Sequence, residues 1–188
     1  MKTYQIDMLV DVRTIPRSRH NPQFNKEALA SELALSNIRY QHLSGLGGLR
    51  KAISSSINTA WRNASFRGFA DYMQTLQFRK ALKQLLSLAK MRDVAIMCAE
   101  AVPWRCHRSL IADALTVRGL EVRHIMSLKS AHSHKLTSWL SVKGTKIWYP
   151  SDNLEGLSRL KQRTKKRLYA NRSGTTDRGK RMASSARK

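Results

Sequence analysis

Apolar positions in this chain fall into short runs separated by amphipathic stretches. Ile6–Val12 and Val94–Cys98 are nearly unbroken apolar segments, which suits strands covered on both faces better than half-exposed ones. Ile38–Leu43 reads as another strand, and Glu121–Ile125 as a further one. Between them the spacing turns helical. A helix is predicted over residues 25–35, with Leu29 and Leu33 facing inward, Asn25 as its N-cap and Asn37 stopping it in the left-handed conformation. Phe66–Met73 is a short helical segment. Thr75 caps a longer helix to about Met91, whose Leu82, Leu85, Leu86 and Ala89 form a core face. Pro103 breaks the chain after the Val94 run, and from about Trp104 the residues Leu110, Ile111, Ala114 and Leu115 recur at helical spacing until Gly119. Strands alternating with helices predict an α/β fold: a three-layer sandwich with a mostly parallel sheet of about four strands and helices on both faces. Two apolar patches around Gly144, within Leu136–Tyr149, predict a small hairpin at the domain edge.

Composition adds a second segment to this picture. The 188 residues carry a net charge of +23, unevenly spread: residues 1–128 hold 19 Lys and Arg against 9 acids, and residues 129–188 hold 16 against 3. From Arg159 onward there are 12 basic residues, one acid and few apolar side chains. The expected organisation is therefore an α/β domain over residues 1–155 and a basic, disordered tail over residues 156–188. Such an excess favours polyanions, chiefly nucleic acid, through counterion release. No apolar run approaches the ~18 residues a membrane span needs, and no secretory signal opens the chain, so a cytoplasmic protein without a membrane partner is expected. Two cysteines make no disulfide framework.

Chemistry concentrates where strands end. In an open parallel sheet, ligands bind beyond the carboxyl ends of strands, where helix N-termini also aim free N–H groups. Cys98, Glu100, Arg105, Cys106, His107 and Arg108 fall in that zone after the Val94 strand. Asp11, Arg13, Arg17 and Arg19 fall there after the first strand, and the arginines form an anion clamp because guanidinium grips phosphate in a bidentate fork. The Gly45–Arg50 stretch, with Gly47 and Gly48, opens a long Ser- and Asn-rich loop reaching Ala64; its glycines permit close backbone approach to a ligand without matching a phosphate-loop pattern.

Several segments together carry a resemblance. Leu9-Val-Asp11-Val-Arg13, Pro16-x-Ser18-Arg19, Asn21-Pro22-x-Phe24, Leu46-Gly47-Gly48, Phe66-Arg67-Gly68-x-Ala70-Asp71-Tyr72-Met73, Cys98-Ala-Glu100-x-x-Pro103-x-x-Cys106-His107-Arg108, His124-Ile125 and Tyr149-Pro150 resemble the DUF488 family over roughly residues 4–150. That domain is named for its lack of an assigned function. The resemblance implies a site without a reaction, and its motifs extend the ligand-binding set to Arg13, Arg17, Ser18, Arg19, Gly47, Gly48, Arg67, Tyr72, Cys98 and Arg108. It also implies a preceding strand and a Gly-His-Ser segment before the Asp11 strand; either the start of the chain is placed too far downstream or this copy has lost them, and a lost strand is expected to expose a sheet edge.

Four chemistries compete for these residues. Glu100 or Asp11 could serve as nucleophile or general acid/base on a nucleotide or nucleic acid gripped by Arg13, Arg19, Arg67 and Arg108. Cys106, in the first turn of a helix beside His107 and Arg108, could be an activated thiol or an inert buried one. Metal binding by Cys98, Glu100, Cys106 and His107 is disfavoured, because seven residues separate the thiols and adjacent Cys and His rarely both reach one ion; no metal ligand is assigned, and the sequence names no cofactor. The alternative is a noncatalytic nucleic-acid-binding module, in which Glu100 pairs with an arginine, the thiols pack, and Trp61, Phe66 and Trp104 stack on bases.

Overall fold

The computed structural model describes residues 1–151; the expected basic tail lies outside the described residues. Its centre is a parallel sheet of three strands, β1 (Met8–Asp11), β2 (Arg39–His42) and β3 (Val94–Met97), in the order β2-β1-β3. Met8 lies opposite Arg39 on one side and Val94 on the other, so Asp11 ends level with His42 and Met97. This register brings three strand ends to one edge of the sheet.

Two apolar clusters explain why β1 is the central strand. Alternate side chains of a strand point to opposite faces. Met8, Val10 and Val12 join a large core with Phe69, Ala70, Phe78, Leu82, Leu85, Leu110 and Ile111, supplied by α2 (Ala64–Tyr72), α3 (Leu76–Ala89) and α4 (Arg108–Thr116). Leu9 packs oppositely, against Leu29 and Leu33 of α1 (Lys26–Leu35) and against Ile38. A strand covered on both faces has no solvent side on which to alternate polar residues, hence the unbroken apolar run.

Most helix boundaries fall where the residue chemistry placed them. The Thr75 hydroxyl accepts the Phe78 N–H and caps α3, while Asn37 and Gly119 adopt positive φ (57° and 83°) beyond α1 and α4. Asn25 occupies the cap position of α1 but bonds elsewhere, its Oδ1 accepting the Ser18 N–H at 2.7 Å and tying the arginine loop to the helix start. The helix expected from Trp104 begins later. Pro103–Arg105 forms a separate 3-10 turn, Cys106 is extended, and α4 starts at Arg108.

The sheet itself departs from the four-strand expectation. The strand read near Glu121–Ile125 is β4 (Arg123–Ser127), and it pairs antiparallel with β5 (Ser130–Ser133), not with β3. β3 is therefore an edge strand, half-buried where full burial was expected. A cavity of about 400 Å³ lies between it and β4, lined by Val94, Ile96, Leu120, Val122, His124 and Ile125. The hairpin around Gly144 is present as β6 (Ser141–Lys143) and β7 (Lys146–Trp148). Among the described residues, no helix is long and apolar enough to cross a membrane.

The long loop after Gly45 is tied down from within. Buried Asp71 accepts the Ile53 N–H, the Ser56 hydroxyl and the Asn58 amide, and Asn58 in turn accepts the Tyr149 N–H. Arg50 stacks over the Tyr72 ring at 3.7 Å. A loop with this many buried polar bonds is part of the scaffold.

Candidate functional site

Asp11 ends β1 with its carboxylate fully buried, a costly placement that demands partners. Arg13 supplies most of them. Its Nε donates to Oδ1 and Oδ2 at 2.9 and 3.0 Å, its Nη2 to Oδ2 at 2.5 Å, and its backbone N–H to Oδ1 at 3.0 Å. The Tyr40 hydroxyl, from the neighbouring strand, donates to Oδ2 at 2.7 Å. Burial raises the Asp11 pKa, but these bonds outweigh it and hold the carboxyl below its ordinary value. Burial, followed by the bond to Asp11, pushes the Tyr40 phenol up. The Arg13 Nη2 also donates to the Phe24 carbonyl at 2.8 Å, and its own carbonyl lies 2.8 Å from His42 Nε2. Asp11 thus fixes the start of the arginine loop.

The segment after β3 builds the other wall. Cys98 Sγ lies 3.8 Å, and Cys106 Sγ 3.7 Å, from the same atom, His107 Nδ1. The two sulfurs and this nitrogen all lie within 4.8 Å of one another. Adjacent side chains can converge here because Cys106 is extended (φ −131°, ψ 141°) while His107 is already helical (φ −57°, ψ −13°), so the change of backbone direction turns both inward. Arg108 locks the turn: its Nε donates to Cys106 Sγ at 3.2 Å and its Nη2 to the carbonyls of Glu100 and Ala101. The hydrogen bond to Cys106, then burial, push the Cys98 thiol up to about 12. The bond from Cys98, aided by the N–H groups of Arg108 and opposed by burial, brings Cys106 down to about 6.

His107 is wedged in place. Its ring lies 4.8 Å from that of Phe69, and its Nε2 is buried without a hydrogen-bond partner among the described residues. On the opposite side Gly48 passes so close that a Cβ there would overlap the imidazole, while a Cβ at Gly47 would strike Thr14. The glycines therefore bring the loop against the protein's own residues. Gly48→Ala is expected to displace the His107 ring and to raise the alkylation rates of Cys98 and Cys106 in the folded protein at least threefold; unchanged rates would mean that the imidazole can shift without disturbing the sulfurs.

A cavity of about 270 Å³ joins the two walls, lined by Arg13, Arg17, Gly48, Cys98, Glu100, Arg105, Cys106 and His107. Ile15, Leu49 and Phe66 give it an apolar side. Glu100, Arg17 and Arg105 are exposed, and no described residue pairs with their side chains. Other expected site residues stand elsewhere. Asp11 lies behind Arg13 and does not line the cavity; the Ser18 hydroxyl accepts the Asn21 N–H; Arg19 is exposed away from the lining. Arg67 donates to the Trp61 carbonyl, Tyr72 to the Gly45 carbonyl, and Arg108 faces the other side of its turn. Sequence reading missed Tyr40, although its strand was anticipated beside the one ending in Asp11. It also missed Thr14, Ile15, Leu49 and Ser65 on the cavity wall, which carry no distinctive pattern.

A family model described as "Domain of unknown function DUF488" matches residues 1–115. No curated protein and no solved structure matches the chain.

Proposed function

Because the chain belongs to the DUF488 family, which brings no reaction with it, we propose from the chemistry of the cavity that it takes a phosphate-bearing ligand, a nucleotide or nucleic acid, and acts on it by hydrolysis or group transfer. The observation that carries this reading is the convergence of Arg13, Arg17 and Arg105 with Glu100 and the Cys98–Cys106–His107 cluster on one cavity. Arg17 and Arg105, unpaired among the described residues, are free to fork onto phosphate oxygens, whereas Arg13 is spent on Asp11 and keeps the loop in place. Phe66, Ile15 and Leu49 offer an apolar surface for a base. Glu100, exposed at the rim, is the general acid/base. Asp11 acts only by positioning Arg13.

The test is a titration with nucleoside monophosphates. Arg17→Gln and Arg105→Gln are each expected to weaken binding about tenfold, the worth of one charge-assisted hydrogen bond. Glu100→Gln is expected to keep the ligand and lose turnover about 100-fold. Binding that ignores both arginine changes would overturn the cavity reading. The net charge of +23 supports a second reading, a noncatalytic nucleic-acid-binding module. In that case affinity falls steeply with salt and Glu100→Gln alters nothing.

A further inference from the structure

We propose that Cys98 Sγ, Cys106 Sγ and His107 Nδ1 form a three-ligand site for a zinc-class divalent cation, with the fourth coordination position open to the cavity. The inference deepens the reading above by giving the cavity a metal, and it rests on that reading for its use but not for its existence. Zinc binds thiolate sulfur at ~2.3 Å and imidazole nitrogen at ~2.0–2.1 Å, so tetrahedral angles place sulfur and nitrogen about 3.6 Å apart and two sulfurs about 3.8 Å apart. The observed separations are 3.8 and 3.7 Å from nitrogen to each sulfur, and all three atoms lie within 4.8 Å of one another. The two nitrogen–sulfur distances are long for hydrogen bonds and match the edges of a ligand tetrahedron, while the sulfurs, within 4.8 Å of each other, would close by up to about 1 Å on a bound ion.

The surroundings agree with this use. Cys98, Cys106 and His107 all line the cavity, so a fourth ligand, water or a phosphate oxygen, would enter from there. Arg108 Nε, 3.2 Å from Cys106 Sγ, is the outer-shell donor that orients a metal-bound thiolate. Phe69 and Gly48 clamp the ring that supplies the nitrogen. The spacing argument against a metal, that adjacent Cys and His rarely share an ion, fails because the backbone changes conformation between the two. A cation here does two things for the proposed chemistry. Through its one open position it yields a bound hydroxide when its water passes a proton to Glu100, and it lends positive charge to a phosphate that Arg17 and Arg105 hold beside it. Attack of that hydroxide on phosphorus forms one P–O bond and breaks the bond to the leaving oxygen, which takes the proton back from Glu100.

The experiment uses the full, untagged chain, reduced and then loaded with zinc or cobalt. About one equivalent of zinc per chain is expected by elemental analysis, and cobalt should show tetrahedral visible bands with thiolate-to-metal charge transfer. Cys98→Ser and Cys106→Ser should each weaken the metal at least ~100-fold, and Arg108→Gln about tenfold, the outer-shell effect. Should Cys106→Ser fail to fold, the half-exposed Cys98→Ser and a second measurement decide: zinc should protect both wild-type thiols from alkylation, and a chelator should abolish the protection. Substoichiometric metal with unprotected thiols, or full metal retained in Cys98→Ser, overturns the site. Metal retained while nucleoside monophosphate binding ignores Arg17→Gln and Arg105→Gln sinks the phosphate reading alone. The reverse pattern sinks the metal alone.

Discussion

Replacing Asp11 by Ala is expected to destabilise the protein by about 3–5 kcal/mol, because it leaves the Arg13 guanidinium buried without its counter-charge. The pair is not a surface bridge of negligible worth; the two side chains are 0% and 6% exposed and share three contacts between the guanidinium and the carboxylate. Asp11→Asn should cost less, since it preserves shape and can still accept from Tyr40. The pH dependence separates the two contributions. The folded-state pKa of Asp11 lies below its unfolded value, so its contribution to stability is present in full above the unfolded pKa of ~3.9 and is lost as pH falls through the folded value. Urea unfolding midpoints followed from pH 7 downward should therefore decline more steeply below pH ~4 in the wild type than in Asp11→Asn. Parallel declines would mean that the carboxylate is not ionised in the fold. If the cavity takes a phosphate-bearing ligand as proposed, Asp11→Ala should also weaken nucleoside monophosphate binding under conditions where the variant is still folded, since Arg13 lines the cavity.

The elements that could be read from the sequence are those whose residues meet a local demand. Two unbroken apolar runs became β1 and β3 because both strands lie over helices, and Thr75, Asn37 and Gly119 marked helix ends because each conformation there suits few residue types. β4 was legible as a strand but not in its pairing. Its partner, Ser130–Ser133, is short and polar and gives no apolar alternation, so the hairpin was invisible and β4 was assigned to the parallel sheet. Pairing is a long-range property, and a strand's own residues do not state it.

The site was legible as two strand ends and illegible as geometry. The rule that ligands bind beyond the carboxyl ends of parallel strands located Asp11 and Cys98–Arg108 near one another, because such strands deliver those ends to one edge. Which side chains enter the cavity depends on single backbone angles and on neighbours far away in sequence. Arg13 turns back onto Asp11 in a short-range bond that the spacing i, i+2 does not specify, and the Cys106–His107 convergence needs the extended-to-helical change between them. Gly47 and Gly48 read from the sequence as positions where the backbone approaches a ligand; what approaches them in the fold is Thr14 and His107.

Asp113 gives the other large effect. It sits fully buried in the middle of α4, where an ionisable residue is expensive unless every lone pair is used. Thr137 donates its N–H to Oδ1 at 3.0 Å and its hydroxyl to Oδ2 at 2.7 Å, the Tyr149 hydroxyl donates to Oδ2 at 2.9 Å, and His134 Nε2 lies 2.9 Å from Oδ1. One carboxylate thereby ties the helix that presents Arg108 to the segment after β5 and to the residue after β7. Asp113→Ala strands three polar side chains, among them the fully buried Tyr149, and removes the junction between those segments. Unpaired buried groups cost about 1–3 kcal/mol each and are not additive, so a net loss of about 4 kcal/mol is expected. For a chain of this size that corresponds to a fall in Tm of roughly 10–15 °C. Asp113→Asn should recover about half, because its carbonyl oxygen accepts from Thr137 or Tyr149 while its amide nitrogen confronts the remaining donors. A loss below about 1 kcal/mol in Asp113→Ala would show that water replaces the carboxylate. In that event α4 is held by its apolar face alone, through Leu110, Ile111 and Ala114.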